Sequence, residues 1–186
     1  MKPKGLDKFL NRIQCSKNRL NSEAIRELEH FIEESRCEAI RFEKMSMRAL
    51  GISKTDECIL STKVLEIYPE YMLYVILHEV SHQYQYKKHG KDIALEIYTS
   101  STDLDTAAQK LLWLEKTADR LAIKKMKSIL NVAKITPTAE IKPRYLNLTD
   151  TEYLKKHILK IREDALQLGL KTIEDINNHI YRKIAV

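Results

Sequence analysis

The segment from Tyr68 to Gly90, YPEYMLYVILHEVSHQYQYKKHG, constrains the fold more than any other stretch of this chain. Proline at the first helical position sacrifices no hydrogen bond, and the glutamate beside it complements the positive end of a helix. Met72, Leu73, Val75, Ile76 and Val80 then place apolar side chains around the axis rather than along one stripe. A helix of that kind has to be covered by other elements. The pattern predicts it from Pro69 to about Lys88, with Gly90 ending it.

A partner long enough to cover it lies downstream. From Asp103 to Val132, Leu111, Leu112, Leu114, Ala118, Leu121, Ala122, Met126 and Ile129 recur at helical spacing, with Asp105 or Thr106 as the cap. Upstream, Ala24, Leu28, Phe31 and Ile32 follow Asn21 and Ser22, which predicts an amphipathic helix over 21–35. Between Glu38 and Leu65 the period falls to two: Ile40 and Phe42 alternate with charged residues, Met45, Met47 and Ala49 continue the alternation, and CILSTKVL reads as a further strand. These strands predict a small antiparallel sheet. Ile93–Thr99 fits helix or strand equally. Beyond Pro137 and Pro143, Thr149-Asp150-Thr151-Glu152 has capping-box spacing ahead of a helix ending near Gly169, and Thr172 opens a last short helix with Ile173, Ile176 and Ile180. The expectation is an α+β, mostly helical fold in a single domain spanning 1–186, with a core over about 22–133 and a helical extension over 134–186.

Thirty-two lysines and arginines against 26 acidic residues leave a net charge of +6, and both signs are interspersed, as in Arg26-Glu27 and Lys160-Ile161-Arg162-Glu163. That is a solvated surface rather than the concentrated stripe of a nucleic-acid binder, so direct nucleic-acid binding is not expected. The N-terminal residues MKPKGLDKFLNRIQ have no apolar core of a secretory signal, and no window approaches the roughly 18 uninterrupted apolar residues of a spanning helix. Cys15, Cys37 and Cys58 form no C-x-x-C pair, which speaks against a disulfide framework and against a cysteine metal site. Together these features place the chain in the cytoplasm with reduced thiols.

Inside the apolar helix stands His78-Glu79-x-x-His82. Positions i and i+4 share a helix face, so both imidazoles can reach one zinc ion, while Glu79, one residue round, lies beside the ion as a general base toward water. An apolar helix rarely buries three ionisable side chains unless something compensates their desolvation. A catalytic zinc needs a third protein ligand. His89, seven residues past His82, sits about 10 Å farther along a continuous helix, too far to share the ion. Glu115, on the second core helix in LWLEKTADRLA, is the better choice. Asp119, four residues on, shares its face and can bind the free ring N–H of a ligating histidine. Ala118 and Ala122 permit the close helix approach this needs. Tyr84, Tyr86, Tyr145, Tyr153 and His157 all carry donors suited to stabilising an oxyanion, and the sequence does not choose among them.

ILHEVSHQYQ and LEKTADRLAIKKM together resemble the ImmA/IrrE family of zincin-like metallopeptidases, with the preceding CILSTKVL strand matching in kind, over roughly residues 38–130. The resemblance implies Zn²⁺ held by His78, His82 and Glu115, with Glu79 as base. It also implies an intracellular protein substrate, DNA-bound regulators among them. The gap between the histidine motif and Glu115 is longer than is usual for the family, and Asp119 gives the second motif a broader gluzincin look. Residues after Lys134 match no family pattern. SprT-like proteases share a histidine motif followed by glutamine and tyrosine, but take a histidine as third ligand. The competing reading is a non-catalytic, zinc-stabilised module of the same fold that binds protein or DNA. Oligomeric state is not readable from the sequence.

Overall fold

The computed structural model of the chain describes residues 4–14, 19–45, 50–54, 56–90, 92–99, 102–137, 140–143, 145 and 148–184. The fold is α+β and mostly helical, with one small sheet: α1 (Leu6–Gln14), α2 (Ser22–Glu34), β1 (Ala39–Glu43), β2 (Gly51–Ser53), β3 (Glu57–Ser61), α3 (Pro69–His89), α4 (Asp92–Thr99), α5 (Leu104–Val132), α6 (Glu152–Leu168) and α7 (Ile173–Ile184).

α3 is the apolar helix anticipated from the sequence. It starts at Pro69 and stops at Gly90, whose φ of 86° favours a residue without a side chain. Its residues from Met72 to Leu77 are all buried, so no face of that stretch is left to solvent. α5 packs against it more extensively than any other element does. The cap of α5 is Asp103, which accepts from the Thr106 backbone N–H at 2.8 Å, rather than Asp105 or Thr106. α2 is capped as anticipated: Asn21 accepts from the Ala24 N–H at 2.9 Å. Its side-chain amide also donates to the Val132 carbonyl at the end of α5.

The sheet is mixed, not antiparallel. Its order is β1-β3-β2, with β2 antiparallel to β3 (Gly51 opposite Leu60, Ser53 opposite Cys58) and β1 parallel to it (Ala39 opposite Glu57). Alternation specifies which side chains face the core but not the direction of pairing. The chain leaves β1, turns back along the far edge as β2, and only then returns between them. In CILSTKVL the strand ends at Ser61, because residues 62–66 wind into a 3₁₀ turn in which the Ser61 hydroxyl accepts from the Lys63 backbone N–H. The expected continuation of the alternation through Met47 and Ala49 lies outside the described residues.

Two apolar clusters form. The larger joins α2, the sheet and α3 to the C-terminal half of α5, and it reaches back to Leu6, Phe9, Leu10 and Ile13 of α1, an amphipathic helix the sequence reading did not assign. The smaller gathers α4, the N-terminal half of α5, α6 and α7 around Ile97, Leu111, Leu154 and Ile158. α4 settles the ambiguous stretch before α5 as helix. α6 begins where the capping signal stands, although Asp150 rather than Thr149 meets the Glu152 N–H, at 2.8 Å. It ends on Gly169 in the left-handed conformation (φ 64°). No helix of the described residues is long and apolar enough to cross a membrane. Cys37 and Cys58, far apart in sequence, meet as buried free thiols with their Sγ atoms 3.6 Å apart; Cys15 lies outside the described residues.

Candidate metal centre

The packing of α5 on α3 brings Glu115 to the two histidines. His78 Nε2 lies 3.2 Å from His82 Nε2 and 3.3 Å from Glu115 Oε2, and His82 Nε2 lies 3.7 Å from the same oxygen. This group could hold a metal ion.

The opposite ring nitrogens are held from behind. His78 Nδ1 sits 2.9 Å from Asp119 Oδ1, and Asp119, with no exposed surface, also accepts from the Tyr74 hydroxyl at 2.6 Å and from the Tyr145 backbone N–H at 2.9 Å. His82 Nδ1 sits 2.9 Å from Gln85 Oε1, and the Gln85 amide donates in turn to the Leu114 carbonyl at 2.8 Å. Each imidazole thus presents Nε2 to the common point, with Nδ1 of His82 hydrogen-bonded to Gln85 and Nδ1 of His78 at ion-pair distance from Asp119. Tyr74 stands four residues before His78, and Gln85 three after His82. Both fall on the faces of the residues they support, a helical-spacing signal that the sequence reading left unused.

Electrostatics agree with a site built around positive charge. Burial disfavours a charged imidazole, yet the Asp119 and Glu115 carboxylates overcome it and raise His78 to about 10. His82 is raised too, burial again being outweighed by Glu115. Burial alone would raise the Glu115 carboxyl, but the two imidazoles hold it far below the usual carboxylate range. Asp119 is lowered likewise, His78 and Tyr74 overcoming its burial. Without an ion, then, the neighbouring carboxylates favour the protonated form of each imidazole, the place of positive charge that a cation would take.

Glu79 is buried beside this group, and burial raises its carboxyl even though both imidazoles pull it down. Its carboxylate lies against Gly51 of β2. A Cβ at position 51 would meet Glu79 Cγ and Oε1 at 2.7 Å, so only glycine allows the strand this close. The strand is fixed in turn by Gln83, whose side-chain amide donates to Ser53 Oγ and to the Lys54 carbonyl.

His89 is exposed at the end of α3, edge-on to Trp113, and takes no part. Tyr84 packs toward Phe31 in the core. Tyr86, Tyr145, Tyr153 and His157 line the same cavity of about 460 Å³ onto which His78, Glu79, His82 and Glu115 open. The Tyr145 ring stacks on His78 with centroids 6.3 Å apart. His157 is lowered from its usual range, by burial first, so its imidazole favours the neutral form.

No protein-family model, curated protein or solved structure matches the chain.

Proposed function

We propose that this chain is a zinc-dependent metallopeptidase of the zincin type, an endopeptidase acting on an intracellular protein substrate. The observation that carries the reading is the convergence of His78, His82 and Glu115 on one point, with Gln85 bonded to His82 Nδ1 and Asp119 2.9 Å from His78 Nδ1. Two imidazoles and a carboxylate are a zinc donor set. Ligands arranged tetrahedrally at zinc bond lengths of about 2.0–2.1 Å stand about 3.3 Å apart, and the three separations here are 3.2, 3.3 and 3.7 Å. The resemblance of the two motifs to ImmA/IrrE peptidases supports the same assignment and adds DNA-bound regulators to the substrates to be tried.

When bound, zinc supplies Lewis acidity that acidifies water and polarises a peptide carbonyl. His78, His82 and Glu115 would hold it; Asp119 and Gln85 would favour the ligating tautomer of the imidazoles, with Tyr74 steadying Asp119. Glu79 Oε takes the proton of the attacking water and delivers it to the departing amine nitrogen. Gly51 and β2 hold that carboxylate in place. Among the described residues no fourth histidine, cysteine or acidic side chain joins the group, which disfavours the closed, purely structural site of a non-catalytic module.

The test separates binding from chemistry. Glu79→Gln retains zinc and loses hydrolysis of denatured casein, while the wild type cleaves it and is inhibited by chelator. Undiminished turnover by the variant rules the mechanism out.

A further inference from the structure

The cavity onto which the metal-binding group opens is also lined by helices that contribute nothing to the ligand set. Ile97 and Tyr98 stand on α4, Leu154 and His157 on α6, and Ile180 on α7. Leu111, one turn before Glu115 on α5, joins the floor to the metal-binding group, so the two form one continuous space.

We propose that this recess is the specificity pocket of the peptidase and takes one bulky, uncharged apolar side chain of the substrate, leucine or phenylalanine in class. The proposal rests on the metallopeptidase reading and deepens it. Charge decides the class of side chain. Among the described residues no lysine or arginine lines the cavity, and the carboxylates among them, Glu79 and Glu115, are both committed at the metal-binding group. An acidic side chain entering the recess would be desolvated with no cation to meet it, and a basic one would lose its hydration for carboxylates already engaged. Neutral His157 adds no charge to the wall. Ile97, Leu111, Leu154 and Ile180 give an apolar side chain a matching wall, and burying a leucine- or phenylalanine-sized group is worth roughly 10- to 150-fold in affinity. The whole cavity, with the space at the metal-binding group included, holds about 460 Å³, enough for one such side chain beside the scissile bond.

The pocket is also held open rather than left to form on binding. Arg162 of α6 donates to the Ile97 and Thr102 carbonyls, fixing α4 against α6. Lys54, in the turn between β2 and β3, donates to Asn178 Oδ1 at 3.0 Å and ties α7 across to the sheet. A preformed recess requires little ordering when the side chain arrives.

The experiment uses the full-length, zinc-loaded Glu79→Gln protein and the pentapeptides acetyl-Ala-Ala-X-Ala-Ala-amide, with affinities from titration calorimetry. With X as phenylalanine or leucine, binding is expected to be at least about 10-fold tighter than with alanine, and aspartate or lysine no better than alanine. Ile180→Trp, which fills the recess from α7, abolishes the phenylalanine advantage without changing zinc content. Leu154→Ala removes one wall and weakens phenylalanine binding, and it serves where the tryptophan variant does not fold. Equal binding of aspartate or lysine, or a phenylalanine advantage untouched by either variant, overturns the pocket. If the wild type cleaves none of these peptides or casein while the phenylalanine preference holds, the catalytic reading fails and the pocket stands.

Discussion

Replacing Gly51 with alanine tests whether β2 positions the carboxylate of Glu79. The added Cβ would stand 2.7 Å from Glu79 Cγ and Oε1 and 2.8 Å from Cδ. Ordinary van der Waals contact begins near 3.4 Å, so the carboxylate or the strand has to retreat by about 0.6–0.7 Å. The strand has little freedom to do so, because Gln83 pins Ser53 and Lys54 two and three residues further on. The side chain of Glu79, buried at 8% exposure, therefore takes up most of the shift. A misplacement of about 1 Å in a catalytic group can cost on the order of 100-fold in rate, so kcat/KM on a fluorogenic peptide mixture should fall roughly 10- to 100-fold. Zinc content should not change, since none of the three ligands is touched, and the melting temperature should drop by only a few degrees. A Glu79→Asp change shortens the side chain away from position 51. The double variant should then be no worse than Glu79→Asp alone, a non-additivity that a general loss of stability does not produce. Full activity in Gly51→Ala with zinc bound would refute the reasoning.

Three further outcomes follow from the same structure. Asp119→Ala and Gln85→Met each remove the partner of one imidazole Nδ1 and should weaken zinc binding about 10- to 100-fold, measured by competition with a chromophoric chelator; unchanged affinity would show that the imidazoles need no such support. In the metal-free protein His78 is raised from 6.5 to about 10, so its contribution to stability is complete below pH 6.5 and lost as pH climbs towards 10. Zinc requires neutral imidazoles, so its affinity should rise over that range. The melting temperature of the chelated protein should therefore fall while the increment gained on adding zinc grows, and a constant increment contradicts the ligand assignment. Phe9→Ala, emptying a fully buried site of α1, should cost about 3–5 kcal/mol and lower the melting temperature by roughly 6–20 °C; a loss within a degree or two would mean that α1 is not part of the core.

The two helices that bring His78, His82 and Glu115 together were legible because each carries a strong local pattern. α3, between a proline and a glycine, is buried all round from Met72 to Leu77, and α5 keeps helical spacing for its whole length. Once both are helices, His78, His82, Glu115 and Asp119 each fall at a position the other helix can reach. What stayed hidden depends on contacts distant in sequence. Gln85 matters because its amide finds the Leu114 carbonyl on another helix, and Gly51 matters because a strand passes close to Glu79. The direction of β1 is set by where the chain re-enters the sheet, which alternation does not encode. α1 escaped for a different reason. Leu6, Phe9, Leu10 and Ile13 do follow helical spacing, but nine residues among so many charges form a helix only when the core receives them. The C-terminal helices were anticipated, but not that α6 and α7 would wall the cavity above the metal-binding group.

Metal analysis of the purified protein by inductively coupled plasma mass spectrometry, on the wild type and on Glu115→Ala side by side, bears most directly on the centre. The account predicts one zinc per wild-type chain, removed by chelator and restored by added Zn²⁺, with little or none retained by the variant after the same desalting. A wild type that takes up no zinc, or a variant that holds it as tightly as the wild type, contradicts it.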